Sequence, residues 1–190
     1  MNGILKNSFK GVIVLSFFIL FSCNNDKNLE QDFIENNFIE IVDTLAYGTG
    51  SFINLPKDTI KYSKLAVKFH PKIDYSAEVE SIVNQYFKEN RKTTLNYDDL
   101  LKKGTYSNFL LNDSFQKQIG KYIIFTNDKE IDKNIKYAGR VDFQNMKIYK
   151  DKAFLVFYKS LEKQSVAYIL LFKKENDNWK LTLKDVLFQT

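Results

Sequence analysis

Only one cysteine, one histidine, one tryptophan and two prolines occur among the 190 residues. A single thiol excludes an intramolecular disulfide framework and any cysteine-cluster zinc site, and a single imidazole excludes the multi-histidine ligand sets common at catalytic zinc. Of the 28 basic residues only Arg91 and Arg140 are arginine. The lysines are scattered rather than gathered in a stripe, so the basic balance reads as solubility and no nucleic-acid partner is expected. With seven glycines there is little material for a flexible linker. What is abundant is apolar: 44% of residues are hydrophobic, among them 17 Phe and 11 Tyr, against 27% charged. That balance excludes a disordered chain and predicts one globular unit.

The first 23 residues have an organisation of their own. Lys6 and Lys10 occur without any acid, Val12 to Phe21 form an almost unbroken apolar run, and Ser22-Cys23 follow. The run is about half the roughly 20 residues that a membrane-spanning helix needs, and it matches the apolar core of an export signal. Residues 1–22 are therefore expected to be a signal peptide. The tetrapeptide Leu20-Phe21-Ser22-Cys23 resembles the lipobox of bacterial lipoproteins, and Phe21, bulkier than stricter lipoboxes carry there, matches the looser Bacteroidota type. The resemblance implies that Cys23 becomes the acylated first residue of the mature chain. It also implies that residues 23–28 are a lipidated tether and that the membrane is a partner reached through lipid on Cys23. The expected location is the outer membrane, on its periplasmic face with surface exposure as the alternative, because Asn24-Asn25-Asp26-Lys27 lacks the acidic cluster associated with surface display. Losing Lys6 and Lys10 leaves a surplus of three positive charges on the mature chain.

Residues 29–190 are expected to form a single α+β domain, N-terminal amphipathic helices packed on a C-terminal antiparallel β-meander. Leu29, Phe33, Ile34, Phe38, Ile41, Val42 and Leu45 mark one helical face, with a stop near Tyr47-Gly48. Lys64 to His70 alternates as a half-buried strand ended by Pro71, with His70 on the polar side. Ser76 is placed to cap a helix running to about Asn90, Asn96 begins a shorter helix ending at Gly104, and Leu111, Phe115 and Ile119 suggest another ending at Gly120. Short β-rich runs then follow, over residues 122–126, 135–143, 146–149, 153–158, 166–172 and 179–188. The runs 153–158 and 166–172, apolar almost throughout, imply strands covered on both faces, whereas Trp179, Leu181 and Leu183 alternate inward. The helices are expected to lie on one side of the sheet. The closing hairpin Phe172 to Leu181 is similar to that of small exported lipoproteins and of nuclear-transport-factor-like cone-shaped domains, a resemblance that carries no catalytic residue.

Chemistry is sparse. His70 is the one side chain that titrates unperturbed near neutral pH, yet it sits with Lys64 and Lys68 on a polar strand face, with no acid or nucleophile beside it in sequence. Asp98-Asp99 suit the positive end of a helix better than acid-base work. Gly48-Thr49-Gly50-Ser51 lacks the Lys-Ser or Lys-Thr of a phosphate loop. Catalytic, metal and cofactor residues are all expected to be none. Tyr97, Tyr106, Tyr137 and Tyr149, on polar faces, are candidates for a contact surface. The function expected is a non-enzymatic, lipid-anchored envelope module that binds a protein or a small apolar ligand. The alternatives are a small pocket hydrolase or isomerase and an inhibitor or immunity-type lipoprotein.

Overall fold

The computed structural model describes residues 29–46, 64–126, 135–161 and 164–189. The signal sequence, Cys23, the tether and the Gly48-Thr49-Gly50-Ser51 turn lie outside the described residues. Among the described residues four α-helices, α1 (Leu29–Ala46), α2 (Ala77–Glu89), α3 (Arg91–Thr94) and α4 (Asp98–Lys103), and a 3-10 turn at Leu95–Tyr97 accompany nine strands. The strands are β1 (Leu65–Phe69), β2 (Lys72–Ile73), β3 (Phe109–Leu110), β4 (Gln118–Ile119), β5 (Tyr122–Phe125), β6 (Lys136–Tyr149), β7 (Lys152–Leu161), β8 (Gln164–Glu175) and β9 (Asn178–Gln189). The architecture is α+β around one large sheet, ordered β4-β5-β1-β6-β7-β8-β9, with β2 and β3 as a separate small ladder.

Helices α1 and α2 form where the periodicity places them, α4 begins at Asp98 rather than Asn96, and α3 is not among those expected. Ser76 accepts from the Val79 N–H at 3.3 Å, Glu78 and Glu80 occupy the positive first turn, and Val79, Val83, Tyr86 and Phe87 are buried. Leu111, Phe115 and Ile119 depart from the helix expected of them: they belong to a loop and to β4. Asn112 is the cause. Its side-chain oxygen accepts from Ser114 N–H at 2.9 Å, and its own N–H donates to the Gln31 side chain at 3.1 Å, so the segment turns locally instead of coiling.

The sheet is mixed, not a pure meander. Strands β6 to β9 are consecutive and antiparallel. β1, however, lies parallel to both β5 and β6, with Leu65 opposite Tyr122 on one side and Lys136 on the other. Both closing turns have two central residues, and Asn176 and Asp177 (φ 49° and 63°) adopt the left-handed pair of a type I′ hairpin. The runs expected as strands 135–143 and 146–149 are one strand interrupted by a bulge at Asn145, whose φ is 43°.

Nor do the helices cover one side only. On one face Phe33, Ile34, Phe38 and Ile41 of α1 pack with Leu155, Phe157, Leu170 and Phe172. On the other, Val83, Phe87 and Leu100 pack with Phe154, Val156, Ile169 and Leu171. Alternate residues of β7 and β8 thus enter different cores, which is why those runs are apolar throughout. In β9 the register shifts opposite Leu171 and Phe172. The extra residue sends Leu183 to the α2 side while Trp179 and Leu181 stay with α1, correcting the shared face expected of the three. Trp179 is half-buried, its ring edge-on to Phe33 at 5.2 Å.

Asn145 is fully buried and bridges two elements. Its backbone N–H donates to the Asp74 carbonyl at 3.0 Å, its side-chain oxygen accepts from Ser76 N–H at 2.8 Å and its amide donates to the Ser76 carbonyl at 2.7 Å. Alanine would leave both Ser76 groups without these partners and keep the left-handed backbone without a side chain that favours it. Asn145→Ala should therefore cost about 2–4 kcal/mol in urea unfolding, whereas exposed Asn108→Ala should change stability by less than about 0.5 kcal/mol.

Candidate functional site

Helices α2 to α4 cover β7 to β9 and the Lys147 to Tyr149 end of β6, and beside them a polar cleft opens over β1, β6 and β7. His70 follows β1, Arg140 and Asp142 project from β6, and Tyr158 and Ser160 from β7, around a cavity of about 210 Å³. Alternation explains the gathering. Val141, Phe143 and Phe157 enter the core with α1, so their neighbours along each strand must point the other way.

The polar groups of the cleft mostly satisfy one another. Arg140 donates through Nε and Nη2 to one oxygen of Asp142, at 3.0 and 2.8 Å, and Lys72 meets Asp74 at 2.8 Å. His70 is exposed, its Nδ1 lies 3.3 Å from the Lys72 carbonyl, and its backbone N–H donates to the Val141 carbonyl. Burial, with Glu78 adding its negative charge, holds the Tyr158 hydroxyl above the usual phenol range. A phenol so disposed stays neutral at physiological pH and offers a hydrogen bond. The cleft is thus equipped to hold a small polar or charged group by hydrogen bonds, and the carboxylate beside each cation keeps it near neutrality.

A second recess, of about 410 Å³, is more apolar, with Leu110, Leu111, Phe115, Ile124 and Phe125 on its walls and Lys117 at its edge. A third, of about 310 Å³, lies between α2 and α4 beside Lys88, Arg91 and Lys102. Asp98 in that recess is held by Arg91 at 2.9 Å, and Asp99 by Lys103 at 3.2 Å, so the adjacent acids serve helix α4 separately. No protein-family model matches the chain, and neither a curated protein nor a solved structure matches it. Among the described residues no group of three or more His, Cys, Asp or Glu could hold a metal ion.

The tyrosines expected at a contact surface divide. Tyr97 is buried against α2 and α4, its hydroxyl bonded to Thr182, which corrects the expectation of exposure. Tyr137 is 37% exposed beside Phe125 and Tyr149 is half-buried beneath Lys150. The Tyr106 hydroxyl is buried without a hydrogen-bond partner, while Lys147 lies over its ring at 4.1 Å and donates to the Leu101 carbonyl near the end of α4. Burial and the Glu80 carboxylate push the Tyr106 phenol up. Arg140, Asp142, Tyr158, Ser160 and Lys147 were not singled out from sequence. The detectable signal for Arg140 and Asp142 was their alternation with Val141 and Phe143 along β6, whereas in β7 Lys159 stands between Tyr158 and Ser160 and hides it.

Lys159, on the α1 side of β7, is 2% exposed, and burial with Lys184 nearby lowers its ammonium from 10.5 to about 8. Below about pH 8 both folded and unfolded chains carry this proton, and the desolvation penalty is fully present. Between about pH 8 and 10.5 the unfolded chain binds more protons than the folded one, so stability should rise with pH, by on the order of 3 kcal/mol in total. Urea midpoints across that window should climb in the native protein and lose this component in Lys159→Met.

Proposed function

We propose that the chain is a lipid-anchored protein of the cell envelope, resident on the periplasmic face of the outer membrane, that works by binding rather than catalysis. The observation that carries the reading is the order Lys6, Lys10, the apolar run Val12 to Phe21, and Ser22-Cys23 with the only cysteine of the sequence. Acyl chains on Cys23 supply attachment, and more than one chain makes it stable. No helix among the described residues is long and apolar enough to cross a membrane. In this reading the N-terminal helices lie on the C-terminal antiparallel strands as a rigid body that presents its recesses to a protein or a small apolar ligand.

Exposure of His70 supports binding over catalysis, because its ring meets a backbone carbonyl rather than a carboxylate or a nucleophile. The apolar recess between Leu110 and Phe125 suits an acyl or aromatic group, and the cleft around Arg140 a polar one. The test is the intact mass of the mature chain extracted from membranes by detergent. A chain beginning at Cys23 and heavier by a diacylglyceryl group plus an acyl group is the expected result. A soluble chain with a free Cys23 thiol overturns the proposal.

A further inference from the structure

The anchor and the fold together decide which end of the domain meets the bilayer. Five residues, Asn24 to Asn28, separate Cys23 from Leu29. A chain spans at most about 3.3–3.6 Å per residue, so α1 begins within about 20 Å of the acylated cysteine. A domain of this length is roughly 40 Å across. The tether is too short to reach round it.

The start of α1 lies near the tips of two hairpins. Phe33, one turn into the helix, packs edge-on against Phe172 at 5.0 Å and Trp179 at 5.2 Å. Phe172 is opposite Ala153, beside the β6–β7 turn, and Trp179 is opposite Lys174, beside the β8–β9 turn. Residues 149–152 and 173–180 carry Lys150, Lys152, Lys173, Lys174 and Lys180 against three acids. Glu175 is engaged by Lys180 at 2.8 Å and Lys173 at 3.9 Å, and Asp177 by Lys174 at 3.3 Å, while Lys150 and Lys152 face the Asp99 carboxylate of α4, which Lys103 already holds at 3.2 Å. Leu29, 60% exposed, adds an apolar group at the same end, and Glu30 and Asp32 of the same turn, Glu30 accepting from the Ser107 hydroxyl, offset part of the positive charge. A cationic rim held near a bilayer is complementary to lipid phosphates.

We propose that the β6–β7 and β8–β9 hairpin end docks on the anionic phospholipid headgroups of the membrane that holds Cys23. The proposal rests on the lipoprotein reading and adds an orientation to it. Ser160, in the polar cleft, is eight residues along β7 from Lys152, roughly 26 Å at strand rise. The Arg140 and Ser160 end of the cleft, which opens on the sheet face, therefore stands clear of the bilayer and is open to periplasmic partners, while Gln144 lies nearer the hairpins, opposite Val156.

The test uses the lipidated mature protein in phosphatidylethanolamine vesicles with and without phosphatidylglycerol. Asn178→Cys places a thiol at the hairpin end and Lys136→Cys places one at the start of β6, far from it; the native sulfur is consumed by the thioether, so each variant takes one fluorophore. Lys173→Cys repeats the measurement at the same end if the Asn178 variant folds poorly. Lipid-borne quenchers should darken the label at 178 in phosphatidylglycerol vesicles, high salt should restore it, and the label at 136 should stay bright. Lys150→Glu and Lys152→Glu should each lower the ratio of docked to undocked label about fivefold or more. Equal quenching at 178 and 136, or none at 178, in protein that floats with vesicles overturns the orientation and leaves the anchor standing. Protein that does not float, with a thiol-reactive Cys23, overturns the lipoprotein reading and this proposal with it.

Discussion

Cys23→Ala should abolish incorporation of labelled fatty acid and leave a precursor that retains residues 1–22. The effect is all-or-none because the thioether has one possible sulfur in this sequence. The substitution lies six residues before α1, so circular dichroism and the unfolding midpoint of the folded domain should match those of the unchanged chain. Loss of acylation with the fold intact is the expected pair of results. Labelling that survives in Cys23→Ala would move attachment elsewhere and remove the basis for both the anchor and the orientation drawn from it.

Phe69→Ala should be the most damaging core substitution. The ring is fully buried at the end of β1 and meets Phe38 of α1 at 6.3 Å, Phe115 of the following loop at 5.5 Å and Phe143 of β6 at 5.0 Å. One side chain thus joins a helix, a loop and two strands, and its removal opens a cavity between segments that cannot all move inward together. The expected loss is about 3–5 kcal/mol, a third or more of a typical domain's stability. Trp179→Ala should fall below that, because Trp179 is only half-buried, and exposed Lys180→Ala should stay within about 0.5 kcal/mol. Equal losses for Phe69 and Trp179 in chemical denaturation would contradict the placement of the core.

Periodicity made α1, α2 and the strand beginning at Leu65 legible, since each sends a periodic apolar set into the core, although β1 is not the half-buried strand expected: Ala66 on its other face is buried too. It could not say which strand neighbours β1, because alternation describes a strand's faces and not its edges. Leu111, Phe115 and Ile119 misled for a related reason: spacing by four also arises when a loop sends successive apolar side chains into a core, and the decisive bonds come from Gln31, far away in sequence. The shared face expected of Trp179 to Leu183 failed at a bulge, where one extra residue reverses the parity of everything after it. His70 was correctly placed on the polar side, but apart from Lys72 and Asp74 its neighbours in the cleft come from strands that follow it by some 70 residues or more, and only the sheet order brings them there.

The parallel insertion of β1 also bears on how the chain reaches its native state. The four C-terminal strands can assemble as successive hairpins, each pairing neighbours in sequence. β1 emerges from synthesis early yet is completed on both edges only when β5 and β6 exist. Until then its apolar residues Leu65, Val67 and Phe69 remain without the surface that buries them, and loop closure over so long a separation is slow compared with hairpin formation. The nascent protein accordingly carries a sticky, unpaired strand while the next 80 residues, His70 to Tyr149, are made, and holding that strand soluble is a demand it makes on the machinery that handles it.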